Sequence, residues 1–136
     1  MLQYLCMLQA ENRLLKVRDF NLLLKHGAWL NSDNFSLRIL DLGKNQNIVP
    51  AKEDKGLFVK QLRIGFAVGL KISKSAVKRN RLKRQAREIV RLLIKDKKIK
   101  AGVYLLFVAK AGSLNLEHKQ IESQVLELLK RARCLM

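Results

Sequence analysis

The segment from Lys71 to Arg91 constrains this chain most, because it combines dense positive charge with a regular apolar pattern. Nine of its 21 residues are Lys or Arg, and its single acidic residue is Glu88. At about 100° per residue, one helical face collects apolar side chains, namely Leu82, Ala86, Ile89 and Leu93, with Val90 at the edge. The opposite face collects Asn80, Arg84, Arg87 and Arg91, flanked by Arg81 and Lys83. The pattern predicts a helix that packs on a core and presents guanidinium groups to an anionic ligand.

The whole chain has the size and composition of one basic globular domain. It has 136 residues, 49% of them hydrophobic, and a formal net charge of +17. This charge predicts a polyanionic partner, nucleic acid or an anionic membrane, with affinity that falls as salt rises. No apolar run approaches the ~18–20 residues of a transmembrane helix, and residues 1–10 lack the basic start of a signal peptide. We therefore expect a cytoplasmic protein.

The remaining chain alternates helical and extended patterns. A short helix is predicted over 20–26, with Asp19 as its N-cap and Gly27 directly after it. Strands are predicted over 35–42, 61–70 and 103–109, and helices over 75–95 and from a cap at Ser113 or Asn115 onward. The resulting order, α-β-β-α-β-α, predicts an α+β fold with helices packed on a small mixed sheet.

Two segments stand apart from this pattern. Residues 1–12 are expected to be an N-terminal extension, and residues 13–133 the single domain. Residues 43–60 hold two glycines, two asparagines and the only proline, Pro50. A connection of this length predicts a partly mobile loop or a hairpin insertion, with room for one additional strand around 55–60.

The sequence contains no pattern of a catalytic or metal site. His26 and His118 have no neighbouring nucleophile or paired carboxylate, and the glycines form no phosphate-binding loop. Cys6 and Cys134 lie near opposite ends without Zn-ligand spacing, so two reduced thiols fit better than a disulfide. We expect no catalytic residue on this chain and no metal or cofactor tightly bound to it.

The basic helix has several candidate ligands. Basic residues spaced three and four apart on a helix repel each other. A bound polyphosphate would neutralise them, so a phosphate ligand explains why they lie close together. A membrane-surface helix is less favoured because the apolar face is needed for the core. A DNA-reading helix lacks the preceding helix or the heptads of the common motifs. Phosphate binding is the favoured interpretation.

Aromatic residues near basic ones point to single-stranded RNA. Phe20 follows Arg13, Lys16 and Arg18, and it is a candidate for stacking on an unpaired base. Two further aromatic residues, Phe35 and Phe66, lie in predicted strands. Core packing accounts equally well for each of the three rings, and the role of Trp29 is open in the same way.

The run Lys78-Arg79-Asn80-Arg81-Leu82-Lys83-Arg84-Gln85-Ala86-Arg87-Glu88 resembles the protein subunit of bacterial ribonuclease P. It matches every fixed position of that family's Arg-Asn-Arg-x-Lys-Arg-x-x-Arg motif. The preceding strand Arg63–Val68, the pattern Phe20-x-x-Leu23-x-x-x-Gly27 and the strand that ends at Ala109-Lys110 are also similar. The resemblance covers about residues 12–132.

The resemblance implies a fold and a function. The fold is a four-stranded mixed sheet in α-β-β-β-α-β-α order with a left-handed β-α-β crossover around the motif helix. The enzyme of this family removes the 5′ leader of precursor tRNA. Its large RNA binds Mg²⁺ and carries out the reaction, so this chain would be an accessory endoribonuclease subunit. The expected partners are that RNA and the single-stranded leader. We expect no binding to DNA or to a membrane, and we expect the isolated protein to be a monomer.

The resemblance also implies two sets of site residues. Contacts to the RNA subunit are predicted for Lys78, Arg79, Asn80, Arg81, Lys83, Arg84, Arg87 and Arg91. The leader cleft is predicted to include Arg13, Phe20, Phe35, Phe66 and Lys71.

The chain departs from the family pattern at several positions. Leu70-Lys71-Ile72 stands where Ser-Lys-Lys is usual, with Lys74 as a compensating charge. Leu24 stands where an aromatic residue is frequent, which affects one stacking contact to the leader.

The alternative functions are a ribosome-associated structural RNA-binding protein and a DNA-binding regulator.

Overall fold

The computed structural model describes residues 12–136. Within them lie four helices, α1 Val17–His26, α2 Lys55–Phe58, α3 Ala76–Lys95 and α4 His118–Arg131, and four strands, β1 Ala28–Asn31, β2 Phe35–Asp41, β3 Leu62–Ala67 and β4 Val103–Ala109. Short 3-10 turns occupy Gln46–Ile48 and Ser113–Asn115. Apart from Asn12, the predicted extension 1–12 lies outside the described residues.

The four strands form one mixed sheet in the order β1-β2-β4-β3. Strand β2 pairs antiparallel with both β1 and β4, whereas β3 and β4 are parallel. Parallel neighbours require a crossover, and α3 provides it. The predicted small mixed sheet with packed helices is therefore confirmed, and the left-handed sense of this crossover stays a prediction.

The sheet is covered on both faces. Helices α3 and α4 pack on one face, which we call the α3 face, and its strand residues are Phe35, Leu37, Ile64, Leu105 and Phe107. Helix α1 and Phe58 of α2 pack on the other, the α1 face, whose strand residues are Leu40, Tyr104 and Leu106. Strand β4 contributes to both, which confirms the central, doubly buried strand predicted over 103–109.

Helix α3 orients the basic segment as predicted. Its buried residues are Leu82, Ala86, Ile89 and Val90. Ser75 is the N-cap, and its Oγ accepts a hydrogen bond from the Lys78 N–H at 3.3 Å. The loop before α3 is held against the helix, because the Arg79 side chain donates a hydrogen bond to the Ser73 carbonyl at 2.8 Å.

Helix α1 begins earlier than predicted. It starts at Val17, so Asp19 lies inside the first turn, and its prediction as N-cap was wrong. Asp19 is instead buried, with Oδ1 3.0 Å from the Tyr104 hydroxyl. Gly27 ends the helix as predicted, because a Cβ there would lie 2.5 Å from the Leu23 carbonyl oxygen and 3.0 Å from that of Ile39.

The segment 43–60 contains helical turns and no strand. The additional strand expected around 55–60 was wrong, as was the hairpin, because α2 occupies this position and Asp54 caps it by accepting from the Gly56 N–H at 2.9 Å. Phe58 anchors the segment in the core at 1% exposure. The fourth strand is β1, which directly follows Gly27. Mobility of this segment stays a prediction.

The end of the chain closes against the end of α3. Neither Ser113 nor Asn115 caps the last helix, since both lie in a 3-10 turn and α4 starts at His118. After α4, an isolated antiparallel bridge joins Leu135 to Ile99, and the buried Cys134 has a free thiol. Packing therefore continues beyond residue 133, and Cys6 lies outside the described residues.

Candidate nucleic-acid interface

The outer face of α3 carries cationic groups without protein partners. Among residues 12–136, no hydrogen bond or ion pair is formed by five basic side chains, those of Lys78, Arg81, Lys83, Arg84 and Arg87. The Asn80 amide is likewise unpaired and exposed within this part of the chain. Because α3 is fixed by its apolar face, these groups project from a rigid element. Such a row suits a ligand that carries several phosphates.

Two of the predicted arginines, one in the motif and one beyond it, serve the helix itself. Arg79 holds the Ser73 carbonyl in the loop that enters α3. Arg91 forms an ion pair with Glu88, with distances of 2.7 Å and 3.1 Å from Nη2 and Nε to the carboxylate oxygens. The structure therefore places all eight predicted RNA-subunit residues on one helix, and two of them already have partners in the chain.

A cavity of about 90 Å³ opens at the outer edge of β3. It is lined by Arg13, Phe20 and Phe66, three of the predicted cleft residues, together with Arg87 of α3. The segment before α1 forms one wall, since the Leu14 N–H donates to the Ile64 carbonyl at 3.1 Å. The Arg13 Nε is buried and has no hydrogen-bond partner in the described chain. The cavity thus joins two aromatic rings with two cations, one of which belongs to the motif helix.

The remaining two cleft predictions lie elsewhere. Phe35 is 2% exposed in the core of the α3 face, so its ring is not available to a base, and this prediction was wrong. Lys71 is exposed in the turn after β3 but does not line the cavity. Phe66 is only partly available, because its ring stacks on Phe107 with a centroid distance of 5.4 Å.

A second groove of about 180 Å³ adjoins the motif helix and was not predicted. It lies between Lys78, Arg81 and Gln85 on α3 and the turn at Leu114–Leu116. The residues of this turn carry no charge or motif, so only the packing of the turn against α3 reveals that they border the basic face.

Two acidic side chains, Asp19 in α1 and Glu53 in the segment before α2, lie close to arginines. Glu53 accepts a hydrogen bond from Arg18 at 2.8 Å, which lowers the pKa of Glu53 and raises that of Arg18. The buried Asp19 lies 3.3 Å from Arg18 Nε and 4.0 Å from Arg63 Nε. Both carboxylates are therefore paired with cations of the same chain.

The described residues form no metal site and no membrane span. Between Asn12 and Met136, no three His, Cys, Asp or Glu side chains are grouped so that they could hold a metal ion. No helix in the same range is both long and apolar enough to cross a bilayer.

Together, the mixed sheet, the rigid basic helix and the basic cavity beside it define an α+β protein with a surface suited to a polyanionic ligand. Comparison with known proteins identifies the family. The family model described as Ribonuclease P matches residues 8–133. The chain therefore belongs to the ribonuclease P protein family.

Individual relatives support this assignment over nearly the full chain. The ribonuclease P protein component of a Synechococcus strain is 34% identical over 130 residues, which cover 96% of this chain and 88% of that one. That of Alkaliphilus oremlandii is 33% identical over 124 residues, covering 91% and 93%. The chain is accordingly the protein subunit of an endoribonuclease complex that acts in tRNA processing.

Solved structures share the fold. The RNase P protein of Thermotoga maritima has a TM-score of 0.67 at 26% identity, covering 88% of this chain and 96% of that one. The RNase P protein of Staphylococcus aureus has a TM-score of 0.71 at 22% identity, with coverage of 94% and 100%. At 22% identity, the similarity to the Staphylococcus aureus protein concerns the fold alone.

Proposed function

We propose that α3 docks this protein on the catalytic RNA of ribonuclease P and that the cavity at the edge of β3 receives the single-stranded 5′ leader of precursor tRNA. The RNA subunit carries the chemistry, and the protein supplies charge neutralisation and positioning. The protein acts as a monomer within this complex, in the cytoplasm where precursor tRNA is made.

The row of unpartnered cations on α3 is the observation that carries the proposal. Like charges spaced three and four residues apart destabilise an isolated helix by a few tenths of a kcal/mol per pair. Arg84 and Arg87 are such a pair, and neither has an acidic partner among the described residues. Phosphates of a bound RNA would remove this repulsion and release counterions, which favours binding at low salt.

The cavity suits a single strand for a different reason. Phe20 and Phe66 offer aromatic surface on which an unpaired base can stack, and Arg13 and Arg87 offer donors to the adjoining phosphates. Since Arg87 also belongs to α3, the leader path would meet the RNA-subunit surface at this residue.

The Mg²⁺ requirement is assigned to the RNA. Octahedral Mg²⁺ sites on proteins use carboxylates, usually together with substrate phosphates. The described residues provide no grouped carboxylates, so they do not fit a resident Mg²⁺, and the proposal places the ion on the RNA subunit.

The test compares Arg84→Ala with Lys130→Ala, which removes an exposed lysine near the end of α4. Affinity for ribonuclease P RNA is measured across a range of salt concentrations. Loss of one phosphate contact should weaken binding and reduce the log–log salt slope by about one unit for Arg84→Ala. Lys130→Ala should resemble the unmodified protein.

Equal affinity and equal slope for both variants would contradict the assignment of α3. Equally tight binding of duplex DNA, or of ribosomal RNA fragments in place of ribonuclease P RNA, would favour the alternative functions.

A further inference from the structure

Trp29 is an exposed aromatic residue that the sites described so far do not use. It is the only tryptophan of the chain. It lies in β1, the edge strand of the sheet, and 47% of its surface is exposed. Because about half of this ring is already covered, a partner that buries the rest would gain only the hydrophobic stabilisation of the exposed part.

Arg38 holds one side of this ring. The two residues are paired across β1 and β2, and the guanidinium carbon lies 4.6 Å from the ring centroid. The guanidinium is itself fixed, because its Nε donates to the Leu23 carbonyl at 3.3 Å and Nη2 donates to that of Leu24. Trp29 and Arg38 therefore form a preorganised platform attached to the end of α1.

The surroundings of this platform are apolar and positive. Leu24 is 49% exposed, and Lys25 and His26 are exposed in the last turn of α1. Arg38 has no carboxylate partner within the described range. A flat apolar surface with adjacent cations matches the two parts of a nucleotide, since the base stacks and the phosphate pairs.

We propose that Trp29 stacks on an unpaired nucleobase of bound RNA, with Arg38 holding the ring in place and Lys25 near the phosphate. This proposal rests on the proposed function, because it concerns an RNA already docked through α3. The base comes from the precursor leader or from an unpaired segment of the RNA subunit, and the chemistry of recognition is the same for both.

The arrangement also has a purely structural interpretation, in which Arg38 and Trp29 only tie β1 to β2 and to α1. The two interpretations differ in what happens to the exposed part of the ring. Stacking on a base quenches tryptophan fluorescence when RNA binds, whereas a structural clasp leaves it unchanged.

The experiment uses the emission of this single tryptophan in the full chain. The protein is titrated with ribonuclease P RNA alone, and the complex is then titrated with precursor tRNA or with mature tRNA. Quenching by the RNA alone assigns the base to the RNA subunit. Quenching that appears with precursor but not with mature tRNA assigns it to the leader. Binding of all three RNAs, shown independently, with unchanged emission would overturn the proposal.

Three substitutions complete the test. Loss of a stacked base corresponds to ~1–3 kcal/mol, so Trp29→Ala and the apolar but non-aromatic Trp29→Leu should each weaken binding about tenfold or more. Trp29→Phe should restore most of the affinity. Equal affinity for all three would overturn the stacking role, whereas loss of all RNA binding by the unmodified protein would instead contradict the docking through α3.

Discussion

At the scale of single residues, a charged side chain either stabilises the fold or remains available to a ligand, depending on its burial and its partners. Asp19 follows basic residues and precedes an apolar stripe, which is the usual place of an N-cap, yet it is buried against Tyr104. Arg79 of the basic motif and Arg91 on the same helix bind Ser73 and Glu88. Such assignments depend on partners distant in the sequence or on the local loop path, so the motif alone could not distinguish them.

Cys134 gives a prediction for the dependence of stability on pH. Burial raises the pKa of its thiol to about 11. The unfolded chain loses this proton near the ordinary cysteine value, about 8.5, while the folded chain retains it. The unfolded state then binds fewer protons, so the free energy of unfolding should fall between about pH 9 and pH 11, on the order of 2 kcal/mol from this group.

Urea unfolding at several pH values measures this fall, and Cys134→Ala is the comparison. The variant is expected to be less stable at neutral pH because a buried side chain is lost, but its stability should decline less above pH 9. Parallel curves for the two proteins would show that the thiol does not cause the decline.

At the scale of elements, the long periodic segments could be predicted and the short ones could not. The buried face of α3 and both faces of β4 follow directly from their apolar spacing. Strand β1 has four mostly exposed residues, so it shows no apolar alternation in the sequence. The start of α1 is equally hard to predict, because Lys16 at its N-cap makes no side-chain capping bond. Helix α2 in turn was mistaken for a strand, because a few apolar residues carry no readable period.

The N-cap of α3 is predicted to matter for the display of the motif. Ser75→Ala removes the acceptor of the Lys78 N–H without changing any charge, and loss of a cap costs about 1 kcal/mol. Urea unfolding should report this loss, and the conservative Ser75→Thr should largely prevent it. Identical stability of the alanine and threonine variants would show that the cap does not stabilise α3.

At the scale of the whole molecule, the family fold and the charge distribution determine the function together. The apolar pattern predicted an α+β domain, and the basic motif predicted the cationic outer face of α3. The cavity at β3 could be anticipated only in part, because it depends on the path of residues before α1 along the sheet edge. The alternating pattern of β2 does not reveal which of its faces packs under α3 and α4, so it could not show that Phe35 lies in that core.

We expect this protein to assist a catalytic RNA and to release no leader on its own. The most direct measurement adds the purified protein to ribonuclease P RNA and precursor tRNA at a low Mg²⁺ concentration, where the RNA alone is slow. We predict that 5′ leader removal is strongly enhanced, that Arg84→Ala enhances it less at limiting protein, and that the protein without the RNA releases no leader. Cleavage of the precursor by the RNA at the same rate with and without the protein would contradict the account.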